Sequence, residues 1–174
     1  YLGLRYFGHW MKDDAPLNLL ANDYGEPVAL NQPDWHGGVH GEGHIQGYTE
    51  LFGLPRQVAE NVRFGKLAIF CDEPFTSHKI ERRRMLRRRA AEKLGPAPPA
   101  RRVFIRRSVK DSGPRHCLNE DEIAGQLSRD GFEIVEPARH AAMAIAKAIY
   151  GADIVVGLEG SHLTHAVYVM RDGG

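Results

Sequence analysis

The chain has 174 residues, 43% of them apolar and 26% charged, the balance of a folded globular protein and not of a disordered one. No stretch of about 18 apolar residues occurs, which excludes a membrane-crossing helix. The opening Tyr1-Leu2-Gly3-Leu4-Arg5 lacks the basic-then-apolar order of a secretory leader.

A first residue that is Tyr and not Met suggests an excised piece. Cys71 and Cys117 lie far apart and fit neither zinc nor disulfide spacing, so they read as idle thiols in a reducing, cytoplasmic compartment. The net charge of +1 conceals an asymmetry: from Lys79 to Lys110 there are 13 basic residues and only two acids, Glu81 and Glu92, a local charge of +11. Such a block attracts anions, nucleic acid among them, unless it is a solvated helix face. No aromatic residues interleave Arg82-Arg83-Arg84 and Arg87-Arg88-Arg89 for base stacking, so nucleic acid is not favoured.

In chain order, Trp10 to Ala21 reads as a helix interrupted or restarted at Pro16. Residues 31 to 47, rich in glycine, read as loop. Leu67 to Cys71 is a buried strand by its apolar run, and Ser77 to Leu94 a helix with Leu86, Ala90 and Leu94 on one face. Gly95-Pro96-Ala97-Pro98-Pro99-Ala100 breaks that helix and marks a boundary, giving an N-terminal α/β region over 1–95 and a second domain over 101–174. Beyond it, Val103-Phe104-Ile105 is a strand, and Asn119 to Arg129 a helix capped by Asn119, with Glu122 approaching a capping box. Phe132 to Val135 is a strand, Ala141 to Tyr150 a helix and Ile154 to Val156 a strand. Gly157 to Ser161 then turns into a last helix through Leu163, Val167 and Met170. Alternating strands and helices with short connections predict an α/β fold with a parallel sheet.

Three groups of residues suggest chemistry. In Val155-Val156-Gly157-Leu158-Glu159-Gly160-Ser161 a strand runs into glycines and small polar residues, an arrangement that captures anions on backbone N–H groups at the carboxyl edge of a sheet. It carries neither a dinucleotide fingerprint nor a P-loop lysine. Arg106 and Arg107 end a neighbouring strand and suit bidentate phosphate contact, which together with the glycine turn argues for a nucleotide diphosphate. His36, His40, Glu42 and His44 raise the possibility of a metal, but they sit among glycines and read as a polar loop. His9 and Asp13, four apart, would share a helix face, serving either acid–base chemistry or the helix itself.

These pieces together resemble a known family. His9-Trp10-x-x-Asp13-x-x-Pro16 is similar to the His-Trp-x-x-Asp-x-x-Pro segment of glycosyltransferase family 61, which includes bacterial capsular-polysaccharide transferases and xylosyl- and N-acetylglucosaminyltransferases. Val103-Phe104-Ile105-Arg106-Arg107, Leu118-Asn119-Glu120-Asp121-Glu122 and Gly131-Phe132-Glu133-Ile134-Val135 resemble further segments in the same order. Gly157-x-Glu159-Gly160-Ser161-x-Leu163-Thr164-His165 resembles the family's Gly-x-His-Gly-Ala-x-Leu-Thr-Asn/His turn.

The resemblance implies an inverting transferase of the two-domain Rossmann-like GT-B type, a truncated bacterial member whose second half is incomplete at Gly174. It implies a nucleotide-sugar donor, a glycan or polysaccharide acceptor, no cofactor and, with no Asp-x-Asp motif, no metal. Carried onto this chain, the catalytic pair is His9 and Asp13. The nucleotide-sugar site is Arg106, Arg107, Asn119, Glu120, Glu159, Gly160, Ser161, His162, Thr164 and His165. One departure stands out: the family's His is Glu159 here, a carboxylate where a donor to phosphate is expected, and His162 or His165 is left to supply that donor.

Overall fold

A computed structural model describes residues 6–30, 42–55, 57–59, 61–70, 72–73, 75–107 and 117–171. The chain divides into two compact units, Tyr1–Arg89 and Ala90–Gly174.

The first unit opens with an unbroken helical run of three characters: α1 (Phe7–His9), a π-helical turn over Trp10–Asp14, and α2 (Ala15–Asn22). Pro16 explains the middle piece. It has no N–H, so the helix cannot continue with regular bonds past it. The chain widens instead, and Ala15 N–H bonds to Trp10 O five residues back. In a regular helix the Lys12 carbonyl would accept from Pro16; Arg83 Nη2 serves it instead, at 3.2 Å. The helix is therefore not interrupted at Pro16 but bulged just before it.

Phe7, Trp10, Met11, Ala15 and Leu19 from this run, with Ile45, Tyr48, Leu51 and Phe52 from α3 (Glu42–Phe52), are the buried apolar residues of the unit's helical part. Phe7, Tyr48 and Phe52 form a chain of rings with centroids 5.5 and 5.7 Å apart. α3 corrects the expectation of loop over 31 to 47 for residues 42–47, while 31–41 lie outside the described residues: its glycines do not prevent a helix once Ile45, Tyr48 and Phe52, spaced three and four apart, have a core to face. Glu42 and His44 thus lie on a helix, and His36 and His40 lie outside the described residues.

β1 (Val28–Leu30) and β2 (Gln57–Ala59) pair in parallel. Leu67 to Phe70, expected as a buried strand, is irregular and open to solvent, with Ile69 86% exposed. Strand propensity needs a neighbouring ladder to act on, and this stretch has none among the described residues. With Leu17, Ala21, Tyr24 and Phe64 it lines an apolar cavity of about 540 Å³. Cys71 lies outside the described residues. α4 (Ser77–Leu94) has the expected bounds, with Leu86 and Ala90 fully buried.

In the second unit three parallel strands stand in the order β4 (Phe132–Val135), β3 (Arg101–Ile105), β5 (Ala152–Gly157). α5 (Glu120–Arg129) and α6 (Ala142–Ile149) alternate with them, the α/β pattern that the sequence predicts. Val103, Ile105, Ile145, Ile149 and Ala152 are fully buried. The proline stretch is fastened to this unit: Tyr150 donates to Gly95 O at 2.8 Å and Arg171 to Pro98 O at 3.2 Å.

Two local expectations change. Asn119 occupies the cap position of α5 without capping it; its Oδ1 accepts from Cys117 Sγ at 3.0 Å, so no capping box forms. The last helix is a short 3₁₀ segment, Ser161–Ala166. No helix of the described residues is long and apolar enough to cross a membrane.

Candidate functional site

The residues expected to bind a nucleotide gather at the carboxyl end of the parallel sheet, and they sort into two kinds. Arg106, the first residue after β3, faces two carboxylates. Its Nη1 lies 2.9 Å from Glu136 Oε1, its Nη2 bonds to Asp121 Oδ1, and Glu136 in turn takes Arg139 Nε at 2.6 Å. Arg106 is therefore engaged within the protein. Glu120, at the first position of α5, is only 2% exposed, and its Oε1 accepts the backbone N–H of Arg107 at 2.7 Å. This carboxylate near the start of a helix fixes the backbone exit of β3.

Arg107 turns the other way. Its Nη1 reaches Glu159 O at 3.3 Å, across from β3 to the turn that follows β5. The turn itself is shaped by two glycines. Gly157, paired with Ile105 in the sheet, has no room for a side chain: a Cβ would meet Leu163 Cδ2 at 2.7 Å and Ile105 O at 2.9 Å. Gly160 has φ +154° and ψ 178°, a conformation open essentially to glycine alone. A Cβ on Gly160 would lie 2.9 Å from His162 Cε1 and 3.1 Å from Arg107 Nη1. The space over its α-carbon is thus walled by an imidazole and a guanidinium.

His162 is partly buried, and Nε2 is buried without a hydrogen-bond partner. Burial first, and then the charge of Arg107, push its pKa down to about 4, against a hydrogen bond with the Leu158 backbone that favours the protonated ring. Glu159, the departure noted in the sequence, is exposed; it meets Arg107 through its backbone carbonyl. Ser161 is exposed, and Thr164 Oγ1 folds back onto Ser161 O. His165 is 1% exposed and belongs to the core. Asn119 is exposed and bonded to Cys117. The structure thus brings together Arg107, Glu120, Glu159, Gly160 and His162, and leaves Arg106, His165 and Asn119 with other neighbours.

In the first unit, His9 is exposed and meets Tyr6 edge-on at 6.0 Å. Asp13 Oδ1 accepts from Lys79 Nζ at 2.9 Å. Lys79, 2% exposed, also lies 3.5 Å from Asp72 Oδ2, and Asp72 bonds to Arg82. Two cations and two carboxylates close a compact cluster, and Arg83 from the same helix holds Lys12 O. The partner of Asp13 is therefore Lys79 on α4, not His9. Sequence reading missed Lys79, Asp72 and Arg83. The available signal was Pro16, which orphans the Lys12 carbonyl and so calls for a donor from elsewhere. Among the described residues no three His, Cys, Asp or Glu side chains converge as a metal would require.

The second unit is thus an α/β arrangement with an arginine, an imidazole and a glycine turn at the carboxyl ends of its parallel strands. The family model described as Glycosyltransferase 61 matches residues 7–174, and the chain belongs to that family. No curated protein and no solved structure matches it.

Proposed function

We propose that the chain is an inverting glycosyltransferase of GT-B type that takes its sugar from a nucleotide-sugar donor and passes it to an acceptor hydroxyl in glycan or polysaccharide synthesis. The observation that supports it most is the convergence of Arg107, Gly160 and His162 at the carboxyl edge of the sheet. A departing diphosphate needs positive charge and hydrogen-bond donors fixed in advance. Arg107 supplies the charge, Gly160 lets His162 and Arg107 pack against its backbone, and Ser161, Thr164 and Glu120 complete or support the turn. Inversion also needs a base on the acceptor. His9, exposed on the first unit, fits that role, with Asp13 holding its helical turn through Lys79 rather than polarising the imidazole. Neither step asks for a metal.

The test is a thermal-unfolding screen. Uridine or guanosine diphosphate at 100 times its Kd should raise the stability of the fold by about 2.7 kcal/mol, while a short DNA duplex should not. Protection by the duplex alone would refute the reading.

A further inference from the structure

The carboxylate of Asp13 is used on one side only. Its Oδ1 accepts from Lys79 Nζ at 2.9 Å, while Oδ2 has no partner among the described residues and the side chain is 46% exposed. The used side is firmly held: Lys79 is 2% exposed and also lies 3.5 Å from Asp72 Oδ2, and Asp72 bonds to Arg82. His9, one helical turn earlier, is exposed, and among the described residues its ring meets only Tyr6, edge-on at 6.0 Å. Trp10, Met11 and Asp14 are buried, so His9 and Asp13 share the outer face of this run. Residues four apart on a helix have Cβ atoms about 5–6 Å apart. An imidazole and a carboxylate at that spacing, neither bonded to the other, reach two different polar atoms of one small ligand.

Resting on the reading of His9 as the base, we propose that Asp13 determines which acceptor the chain takes: Oδ2 receives the hydroxyl next to the one that reacts. The acceptor is then a sugar with hydroxyls on neighbouring carbons, not the lone hydroxyl of a peptide serine or threonine. An ionised carboxylate only accepts hydrogen bonds, and an O–H is the donor that such a sugar brings. The reacting hydroxyl gives its proton to His9 as its oxygen bonds to the anomeric carbon and the nucleoside diphosphate leaves. The neighbouring hydroxyl donates to Asp13 and keeps its proton. A lone hydroxyl would displace water from Oδ2 and give nothing back, and an acceptor oxygen left unpaired under a ligand costs more than a hydrogen bond there would have gained. The ring of Tyr6, 58% exposed beside His9, offers an apolar surface for the C–H face of a pyranose.

The experiment measures nucleoside diphosphate release from UDP-glucose, UDP-xylose, UDP-N-acetylglucosamine and GDP-mannose. The acceptors are methyl xyloside, methyl galactoside, methyl mannoside and a peptide containing serine and threonine. On the sugar that is used, deoxygenation next to the reacting position should lower kcat/KM about 10- to 150-fold, the equivalent of one charged hydrogen bond. Asp13→Ala should use the full and deoxy sugars alike, a non-additivity that mere support of the helix does not produce, while binding uridine diphosphate as the parent does. Lys79 keeps Asp72 in that variant, and the deoxy series on the parent needs no variant at all. Equal use of full and deoxy sugars by the parent, the same ratio in Asp13→Ala, or transfer to the peptide in preference to the sugars overturns the proposal and leaves the transferase reading standing. Nucleotide binding without transfer to any sugar overturns this proposal and leaves the donor site standing. Absence of uridine and guanosine diphosphate binding overturns the donor-site reading and this one together.

Discussion

Replacing Arg106 and replacing Arg107, neighbours in sequence, should give opposite phenotypes. Arg106 is 25% exposed and meets Glu136, itself 12% exposed, at 2.9 Å, and Asp121, which is 77% exposed. Only the first of these bonds is sheltered. A hydrogen bond to a charged group contributes about 1.5–3 kcal/mol, whereas an exposed ion pair contributes about 0–1 kcal/mol. Glu136 keeps Arg139 when Arg106 is gone, so the penalty of a stranded carboxylate is reduced. Arg106→Ala should therefore destabilise the second unit by about 2–3 kcal/mol, lowering its Tm by roughly 8–24 °C at about 4–8 °C per kcal/mol for a unit of this size.

Among the described residues the Arg107 side chain has only the 3.3 Å contact to Glu159 O as a bond. Arg107→Ala should change that Tm by no more than about 4–8 °C, the effect of about 1 kcal/mol. It should weaken uridine diphosphate binding about 10- to 150-fold, the equivalent of one charged hydrogen bond. Thermal unfolding by circular dichroism and titration calorimetry on both variants decide the matter. The reasoning fails if Arg106→Ala loses affinity at an unchanged Tm while Arg107→Ala binds normally.

Two other substitutions test the geometry around the two candidate centres. Gly160→Ala forces a Cβ to within 2.9–3.1 Å of the His162 ring and Arg107 in a backbone conformation costing about 1–3 kcal/mol for an L-residue; calorimetry should show nucleotide binding lost before folding is. Lys79→Met takes from Asp13 its ion-pair partner and leaves Asp72 with Arg82. Because Asp13 is 46% exposed and can rehydrate, the loss in urea unfolding should be about 2–3 kcal/mol, at or below the low end for a broken buried pair. Combining Lys79→Met with Asp13→Asn should recover part of it.

The second unit was legible because its signals are local. Val103, Phe104 and Ile105 are an apolar strand wherever they fall, and Ala142 to Ile149 carries a 3.6-residue apolar period that needs only one sheet to face. The first unit was less so. The strand propensity of Leu67 to Phe70 depends on a ladder that sequence cannot place, and the helix Glu42–Phe52 depends on Phe7 to meet Tyr48. At the candidate site, the glycine turn and Arg107 could be read from the sequence, since both depend on strand ends. The separation of Arg106 from Arg107 could not, because it rests on Glu136 and Asp121, 30 and 15 residues away. The pairing of Asp13 with Lys79, 66 residues on, is equally invisible to an i, i+4 rule.

The basic stretch from Lys79 to Lys110 is where sequence charge and available charge differ most, and the difference predicts what the chain does not bind. Arg82 meets Asp72; Arg84 and Arg88 meet Glu81; Arg101 meets Glu133. Arg83 and Arg89 serve backbone carbonyls, Arg89 those of Phe52 and Gly53 at the end of α3, where a cation also opposes the helix dipole. Arg101 does the same for Lys147 O and Ala148 O at the end of α6, and Arg102 lies 5.2 Å over the Phe132 ring. Most of the block thus tightens the chain's own turns and helix ends. Binding to a duplex would require such a contact to open for each of these arginines that engages a phosphate, and every released carbonyl or carboxylate would have to be rehydrated. A protein with several free phosphate contacts loses affinity steeply with salt, by a slope of about 0.9 per contact. In fluorescence anisotropy this chain should show only weak duplex binding at 50 mM salt, with a slope no greater than about 2. A slope of about 6 or more would mean that the arginines are available after all, and that the contacts seen here give way to nucleic acid.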